Sequence, residues 1–276
     1  MTSDQPIRQN PSLLRRHPVL TYFLATFAIS WIAALLVAAP KLTQGGSLPK
    51  LTGILMFPAM LLGPSTAGFL LTRAFDGPAG VRNLLSRMRR LRFPLGWYVA
   101  LLILPIVVLG VLFSLKVLVS PIYTPNHFWI GASFGILAGF LEEIGWTGFA
   151  YPKLRNHFST VPAAAILGVL WGLWHAPVID FLGAASPHGK ALPLFFAAFV
   201  VAMSAVRLVI VWFYERTHSV ALAQLIHISS TASLVIFSPT AVSPAQEAFW
   251  YAVYGSMLWL LALVSHRVTP TSQPTS

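Results

Sequence analysis

The stretch Phe140-Leu141-Glu142-Glu143-Ile144-Gly145-Trp146-Thr147-Gly148-Phe149 sets two adjacent carboxylates inside an apolar run that begins at Phe128. The other acidic residues, Asp4, Asp76, Asp180, Glu215 and Glu247, fall in tails, loops or the ends of apolar runs. A charge at mid-helix depth in a bilayer costs about 2.5–3.5 kcal/mol, so the pair costs about 5–7. That rivals the stability of a whole fold, about 5–15 kcal/mol. Relief must come from an aqueous cavity, a protonated carboxyl or a polar partner on another helix.

Composition supports a membrane setting for that run. Of 276 residues 56% are hydrophobic and 9% charged, with a mean hydropathy of +0.73. Soluble domains carry about 25% charged residues. In lipid each segment must satisfy its own backbone, which selects helices, and long continuous apolar runs argue against a barrel. The fold class is therefore all-α and polytopic. Cysteine is absent, which excludes disulfides, zinc–thiolate sites and a cysteine nucleophile. The net charge of +11 comes from basic residues in loops between apolar runs. It reads as a topology signal and a contact with anionic lipid, not as a nucleic-acid site.

Outward from the glutamates, eight spans are expected: 20–39, 53–71, 97–118, one from Phe128, one from Val161 to His175, 192–214, 219–237 and 248–268. Pro58 and Gly63-Pro64 should kink the second. The basic stretch 81–92 has apolar residues at near-helical spacing and is expected to lie on the membrane surface. The division is a cytosolic tail at 1–18, one membrane domain at 19–268, and a Ser/Thr/Pro-rich disordered tail at 269–276. Eight spans put both termini on one side. Thirteen basic residues fall on that side, among them Arg82, Arg87, Arg89, Arg90, Arg92 and Arg155. Lys41, Lys50 and Lys190 fall opposite, and Lys116 and Arg207 lie within spans. The positive-inside rule then makes both termini cytoplasmic in a multi-pass cell-membrane protein.

Two of the eight histidines, His175 and His227, lie within apolar runs. Pro177 pushes Ala176 away from helical geometry, so the fifth helix should end near His175. From Val161 that is about 22 Å at 1.5 Å per residue, too short to cross. Such an end is tolerated only beside protein or a wet cavity. His227 shares a helix face with Gln224 and Thr231, a polar stripe that should point into the bundle. Glu142 and Glu143 differ by about 100° around their helix. Glu142 shares a face with Trp146, and Glu143 with Thr147, so one carboxylate can react while the other ties the structure. Gly145 and Gly148 should let a neighbouring backbone approach. A carboxylate and two imidazoles on three helices suit water activation, with His227 and Thr231 as donors to an oxyanion. The set Glu142, His175 and His227 also suits a divalent metal such as zinc, although no H-E-x-x-H spacing is present.

These residues resemble the CAAX-protease and bacteriocin-processing family of intramembrane proteases, whose pattern is E-E-x-x-x-R, then F-x-x-x-H, then H-x-x-x-N. Here the three motifs run Glu142-Glu143-Ile144-Gly145-Trp146-Thr147, Trp171-Gly172-Leu173-Trp174-His175 and His227-Ile228-Ser229-Ser230-Thr231. The resemblance covers about residues 128–235. It implies an eight-helix endopeptidase of glutamic or metal-dependent type, with a cavity open to the cytosol. It implies that Glu142 and His175 activate water and that His227 with Thr231 stabilises the oxyanion, with Glu143 part of the catalytic set. The implied partner is a peptide or protein substrate, membrane-anchored or, in one branch of the family, prenylated. The chain departs from the pattern at Thr147, Trp171 and Thr231. Thr147 leaves Glu143 expected to lack its ion partner, and Thr231 offers one hydroxyl donor in place of an amide. A rival reading is a non-catalytic protein of the same fold, such as a bacteriocin-immunity or scaffold protein.

Overall fold

The computed structural model describes residues 13–45 and 47–268, and no strand occurs among them. The 269–276 tail, Arg8 and most of the expected 1–18 tail lie outside the described residues. The helices, in order, are α1 (Leu13–Arg16), α2 (Pro18–Leu42), α3 (Lys50–Met60), α4 (Leu62–Met88), α5 (Leu95–Val99) and α6 (Ile103–Leu118). There follow α7 (Ala132–Gly145), α8 (Tyr151–Arg155), α9 (Thr160–Trp174), α10 (Leu192–Thr217), α11 (Val220–Phe237) and α12 (Pro244–Val268). Many outward side chains are large and apolar, including Leu36, Phe113, Leu118 and Leu260. This is a polytopic all-α membrane protein.

Six stretches among the described residues are long and apolar enough to cross a bilayer: Pro18–Leu42, Lys50–Met88, Leu95–Leu118, Gly189–Thr217, Val220–Phe237 and Pro244–Arg267. The other two of the eight expected spans take irregular forms. The one carrying the glutamates is α7, which runs through a π turn at Trp146–Ala150 into α8. The other is α9, which ends at Trp174, where Pro177 stops it. The break beside Pro58 and Gly63 separates α3 from α4 at Leu61. The basic stretch 81–92 is the distal part of α4, set off by Gly77 at φ 68° and ending at Met88. Leu84 on it is buried, while Arg82 and Arg89 are exposed.

Contacts between loops define the two ends of the bundle. At one end Asn126 N donates to Phe237 O at 3.1 Å, and Ala184 N and Ala185 N donate to the Glu247 carboxylate at 2.9 and 2.8 Å. At the other, Arg15 donates to Ala74 O at 2.7 Å and Ser219 Oγ to Arg90 O at 2.6 Å. Salt bridges Lys153–Asp76 at 2.7 Å and Arg155–Glu215 at 2.9 Å close that second end. The first and last helices of the described residues begin and end there, at Leu13 and Val268. The site sits between, because α7 packs on α11 and α9 packs on α10. A Cβ on Gly139 would come within 2.8 Å of Gln224 O, so glycine allows the α7–α11 approach.

Candidate active site

Glu142 and Glu143 are both fully buried, and their neighbours give them different tasks. Glu143 is a crowded hub. Its Oε1 receives His227 Nδ1 at 2.7 Å, and its Oε2 receives Arg207 Nη1 at 2.8 Å and the Thr147 hydroxyl. Glu142 Oε2 accepts two indole N–H groups, from Trp146 at 3.0 Å and Trp171 at 2.6 Å. Its other oxygen, Oε1, is buried with no hydrogen-bond partner. Buried polar atoms are nearly always paired, so this carboxylate oxygen has the capacity to accept a further donor.

Arg207 overturns the expectation that Glu143 would lack an ion partner. The guanidinium comes from α10, is fully buried, and lies over the Trp171 ring at 4.4 Å. It supplies the positive charge that the first motif lacks at Thr147. The sequence carried a signal for it, since an arginine inside an apolar run is costly and needs a carboxylate. What the sequence did not show was which carboxylate. Gly145 meets the backbone of Pro64, as expected. Gly148 instead faces the Leu84 side chain, and its carbonyl accepts Arg87 Nη2 at 2.8 Å.

His175 caps the truncated α9, where a 3-10 segment at Ala176–Phe181 begins. Its Nδ1 lies 2.9 Å from Trp171 O. A carbonyl only accepts, so Nδ1 carries the proton and the neutral ring keeps its lone pair at Nε2. Phe57 stacks on the ring at 6.1 Å and Phe199 meets it edge-on at 5.0 Å. His227 sits on α11 with Nδ1 held by Glu143. Trp171 joins the three groups. It donates to Glu142, and its ring lies 5.8 Å from the His175 ring and 5.0 Å from that of His227.

These groups border a cavity of about 450 Å³ lined by Glu142, Trp171, His175, His227 and Thr231, among others. Glu143 does not line it and stands behind His227. The structure thus brings Glu142, His175, His227 and Thr231 to one chamber and leaves Glu143 outside it, bonded to His227. The rest of the lining is mainly apolar, with Phe134, Phe199 and Leu234 in the walls. The mouth is formed by Lys50, Asn126, Phe128, Phe181–Ala184, Ser238 and Thr240. All belong to the end of the bundle opposite the start of α1 and the end of α12. A cytosolic cavity and cytoplasmic termini, both expected above, are therefore incompatible. Glu142, His175 and His227 carry donors a divalent ion accepts. Among the described residues, however, no three His, Cys, Asp or Glu side chains gather closely enough to hold one.

Residues 124–233 match the model of a family described as Type II CAAX prenyl endopeptidase Rce1-like. A 44-residue stretch is 41% identical to CAAX prenyl protease 2 of Methanococcus maripaludis, and covers 16% of each chain. Over these residues the chain is similar to CAAX-type prenyl endopeptidases. The matched region holds Glu142, Glu143, Thr147, Trp171, His175, His227 and Thr231, and also Arg207 between the second and third motifs.

Proposed function

We propose that the chain is an intramembrane endopeptidase in which Glu142 and His175 hold the attacking water. The observation that carries this reading is the unpartnered Oε1 of Glu142 on a carboxylate that lines the same cavity as His175. A water there donates one proton to Glu142 Oε1 and the other to His175 Nε2, with its oxygen lone pair left for attack. The oxygen adds to the scissile carbonyl carbon as Glu142 takes the proton. The carbonyl oxygen becomes the oxyanion. As it collapses, the C–N bond breaks and the proton on Glu142 passes to the leaving nitrogen. The two indoles on Oε2 keep Glu142 in one orientation, so its open oxygen is pre-aimed.

Thr231 Oγ and His227 Nε2 are the donors for the oxyanion. Donation from Nε2 requires the ring to carry both protons, and the Glu143 carboxylate at Nδ1 is the charge partner of that form. Arg207 and Thr147 fix Glu143, so they act on the reaction through His227. Every step here uses side chains of this chain alone.

The test is cleavage of a peptide library by purified protein. Glu142→Gln keeps the indole contacts yet removes the base, and turnover should fall by about 10²–10⁴-fold. Unchanged turnover would reject the mechanism. The single hydroxyl of Thr231, in place of an amide, favours the second reading, a non-catalytic immunity or scaffold protein of this fold. That reading requires a protective or binding phenotype that survives Glu142→Gln.

A further inference from the structure

The mouth of the cavity lies at the end of the bundle that carries few positive charges. Lys41 and Lys50 flank the loop before α3, Lys190 sits just before α10, and Asp180 and Glu247 belong to the same end. The other end holds Arg15, Arg82, Arg87, Arg89, Arg155 and Arg216, along with the start of α1 and the end of α12. Basic residues in short loops near span ends are retained on the cytoplasmic side. To reverse the chain, the arginine-rich part of α4 would have to cross the bilayer. Its fixed place is also shown by contact. Arg87 donates to Tyr214 Oη at 2.7 Å and to Gly148 O, and Ser219 holds Arg90 O.

We infer that the catalytic cavity is reached from the extracytoplasmic face. The inference rests on the protease reading above and names the side from which that site is fed. Glu142 lies ten residues beyond Ala132 and His227 ten before Phe237. Both are therefore about 15 Å below the mouth loops at 1.5 Å per residue. An extended segment gains about 3.3 Å per residue, so some five residues reach from the mouth to the carboxylate. The substrate class is then an exported peptide, or the outer segment of a membrane protein, with an apolar stretch that matches the Phe128, Phe134 and Phe181 walls. A lipid-modified protein held on the cytosolic leaflet has no direct path to this mouth.

The chain contains no cysteine, which makes site-specific labelling direct. Thr240→Cys places a thiol at the exposed rim, and His157→Cys places one at the exposed opposite end. The full chain is expressed in cells and treated with a membrane-impermeant maleimide. The expected result is labelling of Thr240→Cys in intact cells, and of His157→Cys only after the membrane is permeabilised. The reverse pattern, or equal labelling of both in intact cells, overturns the inference. Loss or survival of cleavage in purified Glu142→Gln does not depend on orientation. Failure of the protease reading and failure of the access side are thus separate outcomes.

Discussion

Arg207 does from α10 what the first motif of the family does from its own helix. Both its charge and its burial serve Glu143, with Trp171 as the apolar face beneath the guanidinium. Removing one partner of a buried ion pair leaves the other uncompensated. Arg207→Met should lower stability by about 3–5 kcal/mol, read as a fall in unfolding temperature in detergent. Adding Thr147→Arg to that variant returns a cation to the motif position, and part of the lost temperature should return. An uncorrected double variant would mean that Glu143 needs no charge partner. The other departure sits at Thr231, whose hydroxyl would offer one donor to the oxyanion under the proposed mechanism. Thr231→Asn gives two N–H groups there, and kcat should rise by about tenfold or more with little change in KM. A flat kcat would place Thr231 off the reacting oxygen. Tryptophan in place of phenylalanine at 171 is more than an aromatic wall. Its N–H holds Glu142, a bond that phenylalanine cannot make.

At the scale of elements, α7 is a rigid rod between two close approaches. Gly139 admits α11 on one side, and Gly145 admits the Pro64 carbonyl and the Tyr22 hydroxyl of α4 and α2 on the other. A Cβ on Gly68 would lie 2.6 Å from Gly145 Cα, so the α4 contact is backbone to backbone. Gly145→Ala should therefore destabilise by about 1–3 kcal/mol through overpacking, and lower activity by moving both glutamates. Gly110 on α6 has nothing within 4 Å of an added Cβ. Gly110→Ala should be neutral, or stabilising by up to about 1 kcal/mol from helix propensity. Thermal unfolding of the pair checks the contrast, and equal effects would mean that the α7–α4 approach has room to spare. The π turn after Gly145 is a further local device. It redirects the chain so that the Gly148 carbonyl reaches Arg87, which Tyr214 also holds. Two basic ends, those of α4 and α10, are thereby tied to the element that carries the carboxylates.

At the scale of the whole molecule, the mouth is shaped by a strap that links α9 to α10. Glu247 of α12 is fully buried and accepts Ala184 N and Ala185 N, beside Gly183 at φ 82°. His188 lies between Asp180 at 3.2 Å and Glu247 at 3.4 Å, and stacks on Phe195 at 3.8 Å. Leu182, Gly183 and Ala184 line the cavity. Glu247→Ala leaves two half-buried backbone donors without their carboxylate, at a cost together of about 1–3 kcal/mol. The strap should then be cut faster in limited proteolysis and KM should rise, while kcat for bound peptide changes less because Glu142 and His175 are untouched. Strap cleavage at the wild-type rate would show that His188 and Phe195 hold it alone.

The sequence by itself determined a polytopic all-helical membrane protein, because apolar runs in lipid have one way to satisfy their backbones. It also determined which polar residues had to meet. A glutamate pair in an apolar helix, a histidine at the stop set by Pro177 and a polar stripe around His227 are each too costly to face lipid. Pattern along one helix even fixed the local bonds of Glu142 to Trp146 and Glu143 to Thr147, since i and i+4 share a face. Only the tertiary structure decided that Arg207 pairs with Glu143 across 64 residues, that Glu142 and not Glu143 lines the cavity, and that the mouth opens away from the start of α1 and the end of α12. The reason is physical. Periodicity specifies which residues share a face of one helix, while the partner that face meets depends on how helices distant in the chain pack together.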